Sequence, residues 1–428
     1  MQGPTTSKPG RRRFLRLLGG SALGAVTGAA PFTRARARGE RLRAMPRDNR
    51  SDPSPATRPL TIFLCGDVMT GRGIDQLLPH PGDPTLHESW VTDAAEYLRI
   101  AERANGPIPG PVAFGYPWGE ALEELARVRP DVRLINLETA VTDRDDWWPG
   151  KGIHYRMHPR NAGCLSAAGI DCCALANNHV LDWGYPGLEQ TLETLAAAGM
   201  RTSGAGRTLA EAQAPAVLEC PGKGRVIVLA LGHGSSGIPG EWGARPDRPG
   251  VDLLPDLSPT TVGRIADRVR TVKRAGDIVV ASIHWGGNWG YHIPAEQRRF
   301  ARQLIDDAGV DVVHGHSSHH PRGIEVYREK PILYGCGDFL NDYEGIGGQE
   351  SFRGDLTLMY FLTLDPASGR LLRLSLVPLQ IRRFRLHRPS AADAAWLRAV
   401  MARECGRLGT TVAGDDARRF ELRWIEWD

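Results

Sequence analysis

From Leu60 to Tyr334 short apolar runs alternate with stretches of helical periodicity, and most of the runs end in a small polar cluster. The spacing predicts strands over Leu60–Cys65, Val132–Leu137, Ile170–Leu175, Arg225–Leu231, Asp277–Ile283, Val310–His314, Gly323–Tyr327 and Pro331–Tyr334. Between them it predicts helices over Trp118–Arg127, Pro186–Ala198, Ser258–Ala275 and Pro294–Ala308. Strands alternating with helices over this length imply an α/β fold whose sheets are covered by helices. Gly199 is expected to end its helix, because the residue past a helix terminus often needs the positive φ that glycine adopts without strain.

The pattern then changes. Leu356–Leu364 and Leu371–Leu379 read as neighbouring antiparallel strands, followed by a helix over Ala391–Arg403 and a strand over Phe420–Trp427. Segments 79–117 and 232–250, rich in Gly and Pro, are expected as long loops over a site. The organisation expected is a signal over 1–37, a flexible linker over 38–58, the α/β domain over 60–340, and strands and a helix over 341–428 packed on that domain.

The N-terminus combines Arg11-Arg12-Arg13-Phe14-Leu15-Arg16 with a mildly apolar stretch from Leu17 to Pro31 and a small-residue exit at Ala35-Arg36-Ala37. Those are the parts of a secretory signal, and the paired arginines before Phe-Leu resemble the twin-arginine export signal. An uncleaved basic anchor is the alternative. Either way the chain is expected outside the cytoplasm, and no later segment reaches the ~18 apolar residues of a membrane span.

The net charge of +4 hides an asymmetry, since residues 1–58 hold 13 of the 53 Lys/Arg and 3 of the 49 Asp/Glu. The body left is slightly acidic, which argues against a nucleic-acid partner. The seven cysteines form no metal-type pair and read as buried apolar side chains.

Five polar clusters follow predicted strands, where α/β folds place ligands. They are Gly66-Asp67-Val68-Met69-Thr70-Gly71-Arg72, Asn136-Leu137-Glu138, Asn177-Asn178-His179-Val180-Leu181-Asp182-Trp183-Gly184, His284-Trp285-Gly286-Gly287 and Gly315-His316-Ser317-Ser318-His319. Six of the 13 histidines lie between His284 and His320, a density that core packing alone does not explain. Imidazoles and carboxylates together suit one or two divalent ions such as Mn, Fe or Zn. A spare histidine beside them can serve as general acid. Arg72 and Arg156 can each clamp an anionic group or form an ordinary ion pair. Trp118, Trp147, Trp148, Trp242, Trp285 and Trp289 can wall a cleft or pack in the core. His314 and His320 flank the last cluster as surface or supporting residues.

The order of the clusters, with Asn-Asn-His-x-x-Asp-x-Gly and Gly-His-x-x-His-x-x-x-x-Ile-Glu-Val-Tyr, resembles the capsule-synthesis (CapA, poly-γ-glutamate) family over about Leu60 to Phe339. That family is a branch of the calcineurin-like metallophosphatases. The resemblance implies a four-layer α/β/β/α sandwich with metals at one edge of the paired sheets, and an extracytoplasmic role in poly-γ-glutamate capsule. By position, Asp67 matches the first metal ligand and Glu138 the carboxylate between the metals. Asn178, His284 and His316 match ligands of the second metal, and His319 returns to the first. His179 matches the histidine that protonates the leaving group, with Asp182 orienting it. Two departures stand out in the first motifs: Met69 occupies the place of a histidine ligand, and the bridging Asp of the wider superfamily is Glu138. A third is Gly337-Asp338-Phe339, where the family usually reads Gly-Asn-Phe.

Three functions remain open at this level. One is an exported metallohydrolase acting in capsule or envelope polymer metabolism, on an anionic polymer or phosphoester-type substrate and beside other polymer-synthesis proteins. Another is a non-catalytic factor that grips an anionic polymer through metal and arginines. The third is a phosphoesterase unrelated to capsule.

Overall fold

A computed structural model of the protein describes residues 58–414 and 417–425; the expected signal and nearly all of the linker lie outside them. The strands that matter here are β1 (Leu60–Val68), β2 (Val132–Leu137), β3 (Cys172–Ala174), β4 (Arg201–Ser203), β5 (Ala216–Cys220), β6 (Gly224–His233), β7 (Ile278–His284), β8 (Val312–His316), β9 (Ile324–Tyr327), β10 (Lys330–Leu333), β11 (Asp338–Leu340), β12 (Leu356–Asp365), β13 (Arg370–Arg382), β14 (Thr410–Ala413) and β15 (Phe420–Trp424). The main helices are α1 (Ala95–Asn105), α2 (Ala121–Val128), α3 (Gly184–Ala197), α4 (Pro259–Val272), α5 (Ala295–Ala308) and α6 (Ala391–Gly406). The α/β class expected from the sequence is the one the chain adopts.

Two sheets carry the architecture. The first runs β14-β15-β13-β12-β1-β2-β3-β4, with β11 beside β1; the second centres on β6-β7-β8-β10-β9, with β5 on β6. β1 to β4 are mutually parallel, as are β6, β7, β8 and β10. β12 and β13 pair antiparallel with each other, and β12 with β1, so the C-terminal strands extend the first sheet.

Side chains on β6 show how the sheets pack. Val226, Val228 and Ala230 join Ile62, Leu64 and Leu134 of the first sheet in one core. Ile227, Leu229 and Leu231 point the other way, into a second core with Val262, Ile265 and Val269 of α4 and Phe300 and Leu304 of α5. A strand buried on both faces reads as a continuous apolar run. Burial on the helices recurs at three- and four-residue intervals, as one helical face requires.

Helix α3 ends as expected. Gly199 lies at φ +80°. Its N–H donates to Ala196 O, and Met200 N–H donates to Leu195 O, the paired bonds of a Schellman cap. The segment expected as a bare loop over 79–117 contains α1, which buries only Tyr97 and Ala101. All seven cysteines are buried free thiols.

Candidate metal centre

Parallel strands bring their C-terminal ends to one edge, and the polar clusters meet there. Asp67 is the penultimate residue of β1, Glu138 follows β2, and Asn177 to Asp182 follow β3. His284 and His316 are register partners at the ends of β7 and β8.

The tightest group is Asp67, His284 and His316, whose candidate ligand atoms all lie within 4.8 Å of one another. His284 Nδ1 is 2.8 Å from His316 Nδ1, and His316 Nδ1 is 3.8 Å from Asp67 Oδ1. The other ring nitrogen of His284 lies 3.0 Å from Asn178 Oδ1 and 3.8 Å from Glu138 Oε1. By position the resemblance assigns Asp67 and His284 to neighbouring ions, and their candidate ligand atoms lie within 4.8 Å of one another. His319 stands apart from this group, with Nδ1 2.8 Å from Asp338 Oδ1.

Hydrogen bonding assigns the state of His316. His314 Nε2 is 2.8 Å from Cys65 O, which can only accept, so His314 carries its proton there. Its Nδ1 then accepts from Ser282 Oγ at 3.0 Å, and Ser282 Oγ accepts from His316 Nε2 at 2.9 Å. A neutral His316 is left with a bare Nδ1 lone pair facing His284 and Asp67. Burial favours that neutral state, pushing both His284 and His316 well below their ordinary pKa and His314 down to about 4. His314, read as a surface or supporting residue, is buried and supports His316. His320 is packed among Trp289, Tyr291 and Phe352 and accepts from Gly290 N.

The carboxylates are poised for a cation. Burial and the nearby Asp338 raise Asp67 to about 7, against hydrogen bonds from Asn136 that favour its charge. Burial, Asp67 and Asp338 push Glu138 well above the usual carboxylate range. Glu138 Oε2 is buried with no hydrogen-bond partner. Orphaned oxygen, crowded acids and bare imidazole nitrogens are together what a divalent transition ion would satisfy. The residues present therefore fit a metal: His284 Nδ1 would hold it with His316 and Asp67, and its Nε2 would hold one with Asn178 and Glu138.

His179 sits beside Glu138, its Nε2 3.7 Å from Glu138 Oε1. Its Nδ1 lies 2.6 Å from Asp182 Oδ2 and 3.0 Å from Lys151 Nζ. Lys151 also donates to Asn178 O and Asp182 Oδ1. Burial and then Lys151 hold His179 well below its ordinary pKa, and Tyr155 packs edge-on against the ring. Lys151 was missed in the sequence because a lysine between two loop glycines carries no motif.

Neither arginine is free for a substrate. Arg72 spends all five N–H groups on protein acceptors: Asp342 twice, Glu88, and the hydroxyls of Tyr97 and Tyr155. Arg156 bonds Arg144 O, Asp145 and Asp83 O while stacked on Trp183. Both tie loops around the centre, so a substrate-clamping role is corrected for each. Trp118, Trp242 and Trp285 are core residues. Trp289 lines a cleft of about 740 Å³ that meets the centre at His319 and runs past Tyr343 to Arg353, Arg382 and Arg388.

Residues 61–343 match the family model described as bacterial capsule synthesis protein PGA_cap, and the chain belongs to that family. It is 51% identical over 354 residues to a probable polyglutamine synthesis accessory protein of Mycobacterium tuberculosis, covering 82% of this chain and 93% of that one. It is 30% identical over 284 residues to the PGA biosynthesis protein CapA of Bacillus subtilis, covering 66% of this chain and 63% of the relative. Among solved structures, a phosphatase from Mycoplasma pneumoniae aligns with 76% of this chain and 94% of its own at 12% identity and a TM-score of 0.41. The family is thus one of capsule and polyglutamate synthesis, as the motifs implied.

Proposed function

We propose that this chain is an exported, metal-dependent hydrolase-like protein acting on poly-γ-glutamate or a related envelope polymer. One observation carries the reading: Asp67, His284 and His316 converge beside Asn178 and a Glu138 whose Oε2 has no partner. A divalent ion held there would activate water and polarise an ester or amide centre. The protein's own part is to hold bare imidazole lone pairs inward, through Ser282 and His314, and to keep His179 neutral through burial and Lys151. His179 Nε2 faces Glu138; with its Nδ1–H held by Asp182, the neutral ring would take up at Nε2 the proton that the attacking water releases and hand it to the leaving group. The test is a turnover screen of phosphoesters and γ-glutamyl polymers with H179Q. Activity lost in H179Q while metal is retained supports the enzyme.

A second reading draws on the cleft, which borders His319 but not His179. A polymer lying there would be gripped without being cut. Saturable binding of poly-γ-glutamate with no turnover by metal-loaded protein would favour this non-catalytic factor. Among the described residues no helix is long and apolar enough to cross a membrane.

A further inference from the structure

We propose that Asp338 is a metal ligand, supplying at the first position the donor that Met69 does not. The inference rests on the metal-binding reading above and names a residue that the motif positions leave out.

The placement begins in the backbone. A Cβ on Gly66 would stand 1.8 Å from Gly337 O, and Gly337 itself lies at φ +80°. Only glycine fits both positions, and the two chains therefore touch. Asp67 N–H donates to Gly337 O at 2.9 Å, and Met69 N–H to Leu340 O at 2.8 Å. β11 thus runs parallel to the end of β1, with Asp338 in register with Asp67.

Side-chain chemistry then separates Asp338 from Met69. The Met69 sulfur accepts from Tyr343 Oη at 3.5 Å, and a thioether is a soft donor poorly matched to Mn. Asp338 is buried, with Oδ1 2.8 Å from His319 Nδ1 and Oδ2 accepting from Asn341 Nδ2 at 2.8 Å. Donor atoms around one small ion stand roughly 3 Å apart, and Asp338 Oδ1 stands 2.8 Å from His319 Nδ1. Asp67, Glu138 and Asp338 place three acids in one buried region, and the second oxygen of Glu138 is unsatisfied. An asparagine at 338 would leave one negative charge fewer. With Asp338, the first position has Asp338 and His319 together with Asp67 and Glu138, the two acids it would share with the ion at His284 and His316, four donors without a histidine at 69.

The full-length protein, loaded with Mn²⁺ or Zn²⁺ and dialysed against a graded chelator, tests this by metal count. Wild type should hold two equivalents. D338N should lose one at a chelator concentration at least tenfold lower, while its thermal melt without metal stays cooperative. M69H/D338N should restore the lost equivalent. D338N should also weaken binding further in an H319A background, which separates a ligand from a residue that merely orients His319. Retention in D338N equal to wild type, or no added effect in H319A, would overturn the assignment while leaving the metal function intact. A folded wild type that binds no ion would overturn both.

Discussion

Ser282 Oγ lies 2.9 Å from His316 Nε2 and 3.0 Å from His314 Nδ1, one hydroxyl joining two buried imidazoles. Removing it as S282A leaves both nitrogens without that partner and frees His316 to protonate the wrong one. Metal affinity should fall about 10- to 100-fold, the usual loss when a ligand's outer partner is removed. Isothermal titration with Zn²⁺ reads this directly. Unchanged affinity would show that the relay does not set the tautomer of His316.

Lys151 is the cation against His179. In K151M the imidazole loses the positive neighbour that disfavours its protonation, so its pKa should rise toward the ordinary histidine range. An NMR titration of the metal-free protein follows the ring. K151R, which keeps the charge, should titrate near wild type. A K151M ring titrating as in wild type would remove Lys151 from any part in setting the proton.

Metal uptake should be coupled to carboxylate protons rather than histidine protons. The raised Asp67 pKa, about 7 against an unfolded value of 3.8, means the folded metal-free state holds that proton more tightly. Its contribution to stability is therefore present below pH 3.8 and is lost as pH rises through about 7. The depressed His284 and His316 act oppositely, costing stability as pH falls below 6.5, yet in the folded state they are already neutral and ready to bind. Titrations near pH 6 in buffers of different ionisation enthalpy should find at least about one proton released per ion bound, and the metal-induced rise in Tm should grow from pH 5.5 to 7.5. Proton release absent at pH 6 would contradict the crowded-acid account.

Export by the folded route predicts that replacing Arg11, Arg12 and Arg13 together with lysine leaves precursor in the cytoplasm. Cell fractionation and immunoblotting decide it, and unchanged export would remove the twin-arginine reading.

The sequence made most of this centre legible because its ligands follow strands. His284 and His316 end short, mostly apolar runs that form strands buried along their whole length, and Asn178-His179 follow another such run. Ser282 was visible only as a polar residue two before His284, where the period of a strand puts both on one face. Arg72 was misread because its five acceptors come from positions 88, 97, 155 and 342, which no local pattern links. Asp338 was seen as a departure from a family motif, but its partnership with Asp67 needs the Gly66–Gly337 approach, a tertiary fact. Strands β4, β5 and β11 were missed because three to five residues give little periodicity. Helix α1 was hidden in a Gly/Pro-rich segment because it buries only two side chains.

Asp67, His284 and His316 are placed to hold a metal ion. Elemental mass spectrometry of the purified full-length protein, alongside D67A and H284A, measures it most directly. Wild type should carry at least one equivalent of Mn, Fe or Zn. Each variant should remain folded by circular dichroism and lose at least one equivalent. Folded wild type free of metal after purification, and still free after incubation with each of the three ions, would contradict the account.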